Sequence, residues 1–295
     1  MVKIFGAGFD GTASYRPGAR FGPAAIRNEF YGLETYSPYC GKDLNDLKNF
    51  TNLTNSENSK NLENSENSEN LSFTDLGDLE LPFGNTEKVL KAVEKQTAEI
   101  LADGGFPICI GGEHTVTFGS VKACVNKYPD LHIIHFDAHA DLRDEYIGEK
   151  LSHACVIRRC YEILPESAGI IHSFGIRSGD KEEFLWADGR IDLHKFNFDG
   201  LTESLKTIGN APIYLTVDLD VLDPGEFPGT GTPEAGGVRF TELLGALGEV
   251  FKYNVIAADI TELAPNIDHT GISTAAACKV LREIILNIPV DNIRG

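Results

Sequence analysis

Residues 132–141 read His-Ile-Ile-His-Phe-Asp-Ala-His-Ala-Asp, a short apolar run that turns into acids and imidazoles. Ile133 and Ile134 are β-branched, and Asp137, His139 and Asp141 follow at alternate positions. A strand puts residues i, i+2 and i+4 on one face, so an extended strand end would present these three together. Two carboxylates and an imidazole converging there carry a large cost in desolvation and repulsion unless a cation neutralises them. Taken alone, the stretch also reads as a solvated loop with an ordinary hydrogen-bonded cluster.

The same pattern returns in Leu-Thr-Val-Asp-Leu-Asp-Val-Leu-Asp-Pro, residues 215–224. Asp218 and Asp220 would share a face, with Val217, Leu219 and Val221 pointing the other way. A third contribution comes from Gly-Gly-Glu-His, residues 111–114, directly after the apolar run Phe106 to Ile110. Three apolar strands ending in metal-type ligands fit the rule that open α/β sheets bind ligands beyond the carboxyl ends of their strands. Oxygen-rich ligation with some imidazole suits a harder divalent ion such as manganese better than copper or zinc. Six candidate ligands (His114, Asp137, His139, Asp141, Asp218 and Asp220) exceed the need of one ion, so two ions sharing carboxylates are expected.

Around these stretches, apolar runs alternate with helical spacing. Strands are expected at 2–6, 71–76, 106–110, 131–137, 169–175, 212–218 and 254–260. Helices are expected at 24–29, 86–102, 114–128, 152–163, 241–251 and 273–286, with Pro23 apt for a first helical turn and Gly104-Gly105 closing the second helix. This order predicts an α/β fold, a three-layer αβα sandwich with a mostly parallel central sheet. Residues 1–295 read as a single domain. Residues 51–70 form a Glu-Asn-Ser tract of low complexity that cannot bury enough surface to offset its ordering entropy, and it reads as a flexible surface insert.

Hydrophobic residues make up 42% of the chain, ample for a core, and the net charge is −18. That charge repels nucleic acid and suits a small cationic partner. The six cysteines have no C-x-x-C spacing, so neither a zinc knuckle nor a redox pair is indicated. No window approaches the roughly 20 apolar residues of a membrane span, and the N-terminus lacks a signal-peptide core. No membrane association and a cytoplasmic location are expected.

Gly-Gly-Glu-His, Asp-Ala-His-Ala-Asp and Asp-Leu-Asp-Val-Leu-Asp-Pro together resemble the ureohydrolase family of arginases and agmatinases, and the similarity covers nearly the whole chain. The resemblance implies an arginase-like fold and two Mn2+ ions per chain. His114, Asp137, Asp141 and Asp218 would hold one ion, and Asp137, His139, Asp218 and Asp220 the other. It implies that Glu262, in Asp-Ile-Thr-Glu-Leu-Ala-Pro, pairs with a substrate guanidinium, and that Asp141 also passes a proton to the leaving amine. From the residues alone His153, in Leu-Ser-His-Ala, is equally a capping or core histidine; the resemblance makes it a proton-transfer residue of the pocket. Asp141, His153 and Glu262 are thus the expected catalytic residues.

The segment Arg16 to Pro23 and the residues after Asp141 are similar to the agmatinase branch, which implies hydrolysis of agmatine to putrescine and urea in polyamine biosynthesis. The alternatives are another guanidino compound such as guanidinobutyrate, with Arg143 as its carboxylate anchor, or an acetylpolyamine amidohydrolase. From the residues alone Arg143 reads more simply as salt-bridged to its neighbour Asp144 or Glu145. The amidohydrolase would use one zinc ion and would not need His114, Asp141 and Asp220. Family members commonly form trimers or hexamers, so a homo-oligomer is implied. Of the other histidines, His135 reads as buried and hydrogen-bonded and His132, His172 and His194 as structural; His269, beside Asp268, reads as an exposed loop residue, with a place in the pocket lining as its alternative. Asp223 reads as the start of a turn.

Overall fold

The apolar runs become parallel strands whose register sets their C-terminal ends side by side. The computed structural model describes residues 1–47, 72–165 and 169–289; the tract 51–70 lies outside the described residues. In chain order the strands are β1 (Val2–Ala7), β2 (Tyr36–Ser37), β3 (Lys42–Asp43), β4 (Phe73–Asp78), β5 (Phe106–Gly111), β6 (His132–Phe136), β7 (Ile171–Ile176), β8 (Asp192–Lys195), β9 (Ile213–Asp218) and β10 (Val255–Thr261). β2 and β3 pair with each other in a small antiparallel hairpin. The other eight form one sheet in the order β4-β1-β5-β10-β9-β6-β7-β8. Every pairing in that sheet is parallel.

The helices are α1 (Gly22–Phe30), α2 (Thr86–Ala102), α3 (Thr117–Lys127), α4 (Val156–Ile163), α5 (Lys181–Ala187), α6 (Leu201–Ile208), α7 (Phe240–Val250) and α8 (Ile272–Asn287). α2, α3 and α4 pack in one layer, and α1, α8, α7 and α6 in the other. β5, β7 and β9 are buried along their whole lengths. Helices cover both faces of these strands, so no solvent-facing side remains to be polar. No helix among the described residues is long and apolar enough to cross a membrane.

β2, β3, β8, α5 and α6 are additional to the expected elements, and two further differences bear on the site. α3 and α4 begin later than their sequence patterns suggest, because His114–Val116 and His153–Cys155 are single 3-10 turns in front of them. The acidic stretches also leave the pleat early. β6 stops at Phe136, and Asp220 sits in a 3-10 turn, Leu219–Val221, after the last residue of β9.

The site follows from the strand order. β5 and β6 lead into α3 and α4 on one face, whereas β9 and β10 lead into α7 and α8 on the other. Chain ends that depart in opposite directions open a crevice over the neighbouring pairs β5–β10 and β9–β6. The register levels its floor: Phe136 pairs with Val217, Val217 with Ile260, and Ile260 with Ile110.

Candidate active site

All six expected ligands meet in this crevice. His114 Nδ1 lies 3.0 Å from Asp137 Oδ2, 3.0 Å from Asp141 Oδ2 and 3.4 Å from Asp218 Oδ2. His139 Nδ1 lies 3.0 Å from Asp220 Oδ2 and 3.5 Å from Asp137 Oδ1. Asp137 thus stands between the two imidazoles. Strand parity is not what gathers them. Asp141 has a left-handed φ of 53°, and Asp218 accepts a hydrogen bond from Asp220 N that curls the chain into its turn. Such a φ on a non-glycine residue costs about 1–3 kcal/mol and persists where the surroundings impose it.

Charge in the cluster is unbalanced. Asp137, Asp218 and Asp220 are almost fully buried and Asp141 nearly so. Among the described residues no lysine or arginine side chain meets these four carboxylates. Burial, then repulsion from Asp137, pushes Asp141 up to about 7. Burial followed by Asp220 and Asp137 drives Asp218 well above the carboxylate range. Burial also opposes charge on Asp137, yet hydrogen bonds from His114, His135 and His139 hold it well below its ordinary value. Burial disfavours the cationic form of His114 and His139, but their carboxylate neighbours outweigh it and raise both. Left to itself the cluster keeps protons where cations would go. A buried set of four carboxylates and two imidazoles fits two divalent ions, which would displace those protons.

The histidines are oriented from behind. His114 Nε2 is 2.9 Å from Thr216 Oγ1, and Thr216 donates to Asp259 Oδ1 at 2.6 Å. Asp259 also accepts from the Tyr214 hydroxyl. Thr216 spends its one proton on Asp259, so it can only accept from His114 Nε2–H, and Nδ1 is left facing the carboxylates. His135, fully buried, bridges Ser173 Oγ at 3.0 Å and Asp137 Oδ2 at 2.8 Å, as a hydrogen-bonded histidine should.

Glu262 and His153 line the same cavity of about 570 Å³ as His114, His139, Asp141, Asp218 and Asp220. Glu262 follows β10 with a φ of 65°, and its Oε1 accepts from the backbone N–H of His114 at 2.7 Å. Burial first, then Glu113, raises Glu262 well above its ordinary value. His153 is lowered to about 4, by burial and then by charge on His139 and His114, so it is a neutral imidazole at pH 7.

Residues 1–55 and 48–287 match the arginase family model. The chain belongs to the arginase family. It is 44% identical to agmatinase of Bacillus subtilis over 96% of this chain and 90% of that one. A crystal structure from Clostridium difficile superposes with a TM-score of 0.86 at 44% identity, covering 97% of this chain and 96% of the other. The agmatine ureohydrolase structure of Thermoplasma volcanium gives 0.79 at 31% identity, covering 97% and 89%.

Several residues in or behind the pocket of this arginase-family chain have no place among the sequence candidates. Thr216 had a signal, since it stands at strand spacing from Asp218. Asp180 and Glu183, which line the cavity, belong to the acidic stretch Asp-Lys-Glu-Glu that opens α5, and Glu234, also in the lining, is an isolated acid. Arg143 reads from sequence as pairing with its neighbours Asp144 or Glu145. It instead reaches across the pocket to Asp180 Oδ2 at 2.9 Å and Glu183 Oε2 at 3.4 Å, with Tyr146 beneath its guanidinium. Asp144 pairs with Arg159 and Arg158. His269 is exposed, and Asp223 accepts from Gly225 N, Gly236 N and Gly237 N, a turn as expected.

Proposed function

We propose that this chain is an agmatinase-type amidinohydrolase, cleaving agmatine to putrescine and urea in polyamine biosynthesis with two Mn2+ ions. The charge of the cavity carries the substrate reading. Four carboxylates (Asp137, Asp141, Asp218 and Asp220) offset two dications. The charged side chains that remain in the lining are Asp180, Glu183, Glu234 and Glu262 against Arg16 and Arg143. Two negative charges are left over, the complement of a molecule with a guanidinium at one end and an ammonium at the other. Arg143, the anchor a guanidino acid would need, is already engaged by Asp180 and Glu183.

His114, Asp137, Asp141 and Asp218 would hold one ion, and Asp137, His139, Asp218 and Asp220 the other. When bound, the pair would supply Lewis acidity and lower the pKa of a bound water. Glu262 holds the guanidinium, its charge opposing that of the substrate and its geometry suited to paired N–H donors. Asp141 takes the first proton of the attacking water and passes it to the leaving nitrogen. The second proton, on the oxygen that becomes the urea carbonyl, is collected by neutral His153 and handed to the departing amine. Water and guanidinium thereby become urea and an ammonium with no proton left over. The active chain would be a cytoplasmic homo-oligomer, trimer or hexamer, which light scattering after size exclusion reads directly.

Urea release from manganese-loaded protein with agmatine, arginine, guanidinobutyrate and guanidinopropionate tests the reading. Agmatine is expected to have the highest kcat/KM. Preference for guanidinobutyrate would overturn the tail assignment and leave the metal chemistry standing. One ion per chain instead of two would favour the amidohydrolase alternative.

A further inference from the structure

The loop after β1 is pressed onto the end of β5. Glu113 N donates to Phe9 O at 2.7 Å, and a Cβ on Gly112 would fall 1.9 Å from that same oxygen. Only glycine permits so close a backbone approach. The contact delivers Thr12 to the side chain of Glu113, which is 1% exposed. Thr12 N donates to Glu113 Oε2 at 2.9 Å, and Thr12 Oγ1 donates to Oε1 at 2.5 Å. Thr115 Oγ1 adds a further bond to Oε1 at 2.7 Å.

The other side of Thr12 faces His153. Its Oγ1 accepts from His153 N at 3.3 Å and lies 3.5 Å from His153 Nδ1. A hydroxyl has one proton and two lone pairs. Thr12 commits the proton to the Glu113 carboxylate, so toward His153 it offers lone pairs alone. An acceptor beside Nδ1 favours a proton on that nitrogen and leaves Nε2 bare. His153 lines the cavity, whereas Thr12 does not, and Nε2 lies 3.3 Å from Ser14 Oγ, another lining residue.

We propose that Thr12, anchored on Glu113, is a positioning residue that fixes His153 as its Nδ1–H tautomer with Nε2 presented to the pocket as a proton acceptor. The inference rests on the reading of His153 as the residue that collects a proton during turnover. Free imidazoles of histidine favour the other tautomer, so the arrangement works against the intrinsic preference of the ring. Thr12 and Glu113 are 101 positions apart and neither is a candidate ligand, so no local pattern in the sequence marks the pair.

Ring-15N histidine NMR on the full chain, loaded with zinc to avoid paramagnetic broadening, reads the tautomer directly, with His153 assigned by the signal missing in His153→Asn. The proposal expects a protonated Nδ1 and a bare Nε2 in the wild type, a measurement that needs no folded Thr12 variant. Thr12→Val should shift His153 toward Nε2–H, and Thr12→Ser should restore Nδ1–H. With manganese and agmatine, Thr12→Val should lose about 10- to 100-fold in kcat with KM within about twofold, as expected for a misplaced proton-transfer group. Thr12→Ser should recover most of it. Nε2–H in the wild type, or an unchanged tautomer in Thr12→Val, overturns the proposal whatever the turnover. A tautomer that shifts while kcat stays constant supports the positioning and overturns the role of His153 in turnover.

Discussion

Glu262 Oε1 accepts the backbone N–H of His114 at 2.7 Å, so the proposed guanidinium holder and the first proposed ligand are built on each other. Glu262 N in turn donates to Gly112 O at 2.9 Å. Glu262→Gln keeps an oxygen for His114 N but removes the charge opposite the guanidinium. It should lower kcat/KM for agmatine by about 10²–10³-fold, the size seen when a charge-stabilising group is deleted from an active site. Metal content by elemental analysis should stay at the wild-type value. If the variant loses metal instead, Glu262 acts by shaping the His114 loop, and its assignment to substrate falls.

Removal of divalent ions should lower the melting temperature. Asp218 and Asp141 are raised by burial and by neighbouring carboxylates, a repulsion that bound cations relieve. Ion present at 100 times its dissociation constant stabilises by about 2.7 kcal/mol per site. Chelation followed by dialysis should therefore produce a drop of several degrees, recovered when manganese is restored. An unchanged melting temperature would remove the cluster from consideration as a metal centre.

The strand–helix alternation was legible because the buried strands are dominated by apolar residues, as in Phe106–Gly111, and the six candidate ligands were legible because they lie at or just beyond the ends of such strands. Their convergence was read for the wrong reason. Period-two spacing suggested a pleated strand end, whereas Asp141 reaches the cluster through a left-handed backbone and Asp220 through a 3-10 turn. Contacts between remote segments left no local pattern. Arg143 meets Asp180, and Thr12 meets Glu113, only because strand order brings their loops together. Pairing with an adjacent acid is what sequence suggests for Arg143; a parallel sheet overrides it.

Acid sensitivity should have a source far from the crevice. His132 Nδ1 and His172 Nε2 stand 3.2 Å apart at the opposite ends of the strands, and His172 Nδ1 contacts Asp192 Oδ2 at 2.7 Å. Both histidines are lowered, chiefly by burial; His172 also depresses His132, and His194 depresses His172, against Asp130 and Asp192. A histidine lowered in the folded state binds its proton more readily when unfolded, at about 6.5. Its contribution is therefore complete above that pH and is lost as pH falls through it. In chelated protein, the fall in melting temperature between pH 7 and 5.5 should be smaller in His132→Gln than in the wild type. Equal slopes would place the acid sensitivity elsewhere.

Arg282 and Glu283, on α8, form a buried pair at 2% and 1% exposure. Arg282 Nη2 donates to Glu283 Oε1 at 2.8 Å, and Nη1 donates to the carbonyls of Glu34 and Tyr36. Glu283 Oε2 accepts from Ser37 Oγ at 2.8 Å. The pair thus ties the last helix to the β2–β3 hairpin. Glu283→Ala strands a buried guanidinium and should cost about 3–5 kcal/mol, because an unpaired buried charge is worse than none. Adding Arg282→Met to that variant should recover part of the loss, though not all, since two backbone carbonyls lose their donor. Urea denaturation with an unchanged slope would read both values. A cost under about 1 kcal/mol for Glu283→Ala would mean that water reaches the guanidinium and that the pair is not sealed in the core.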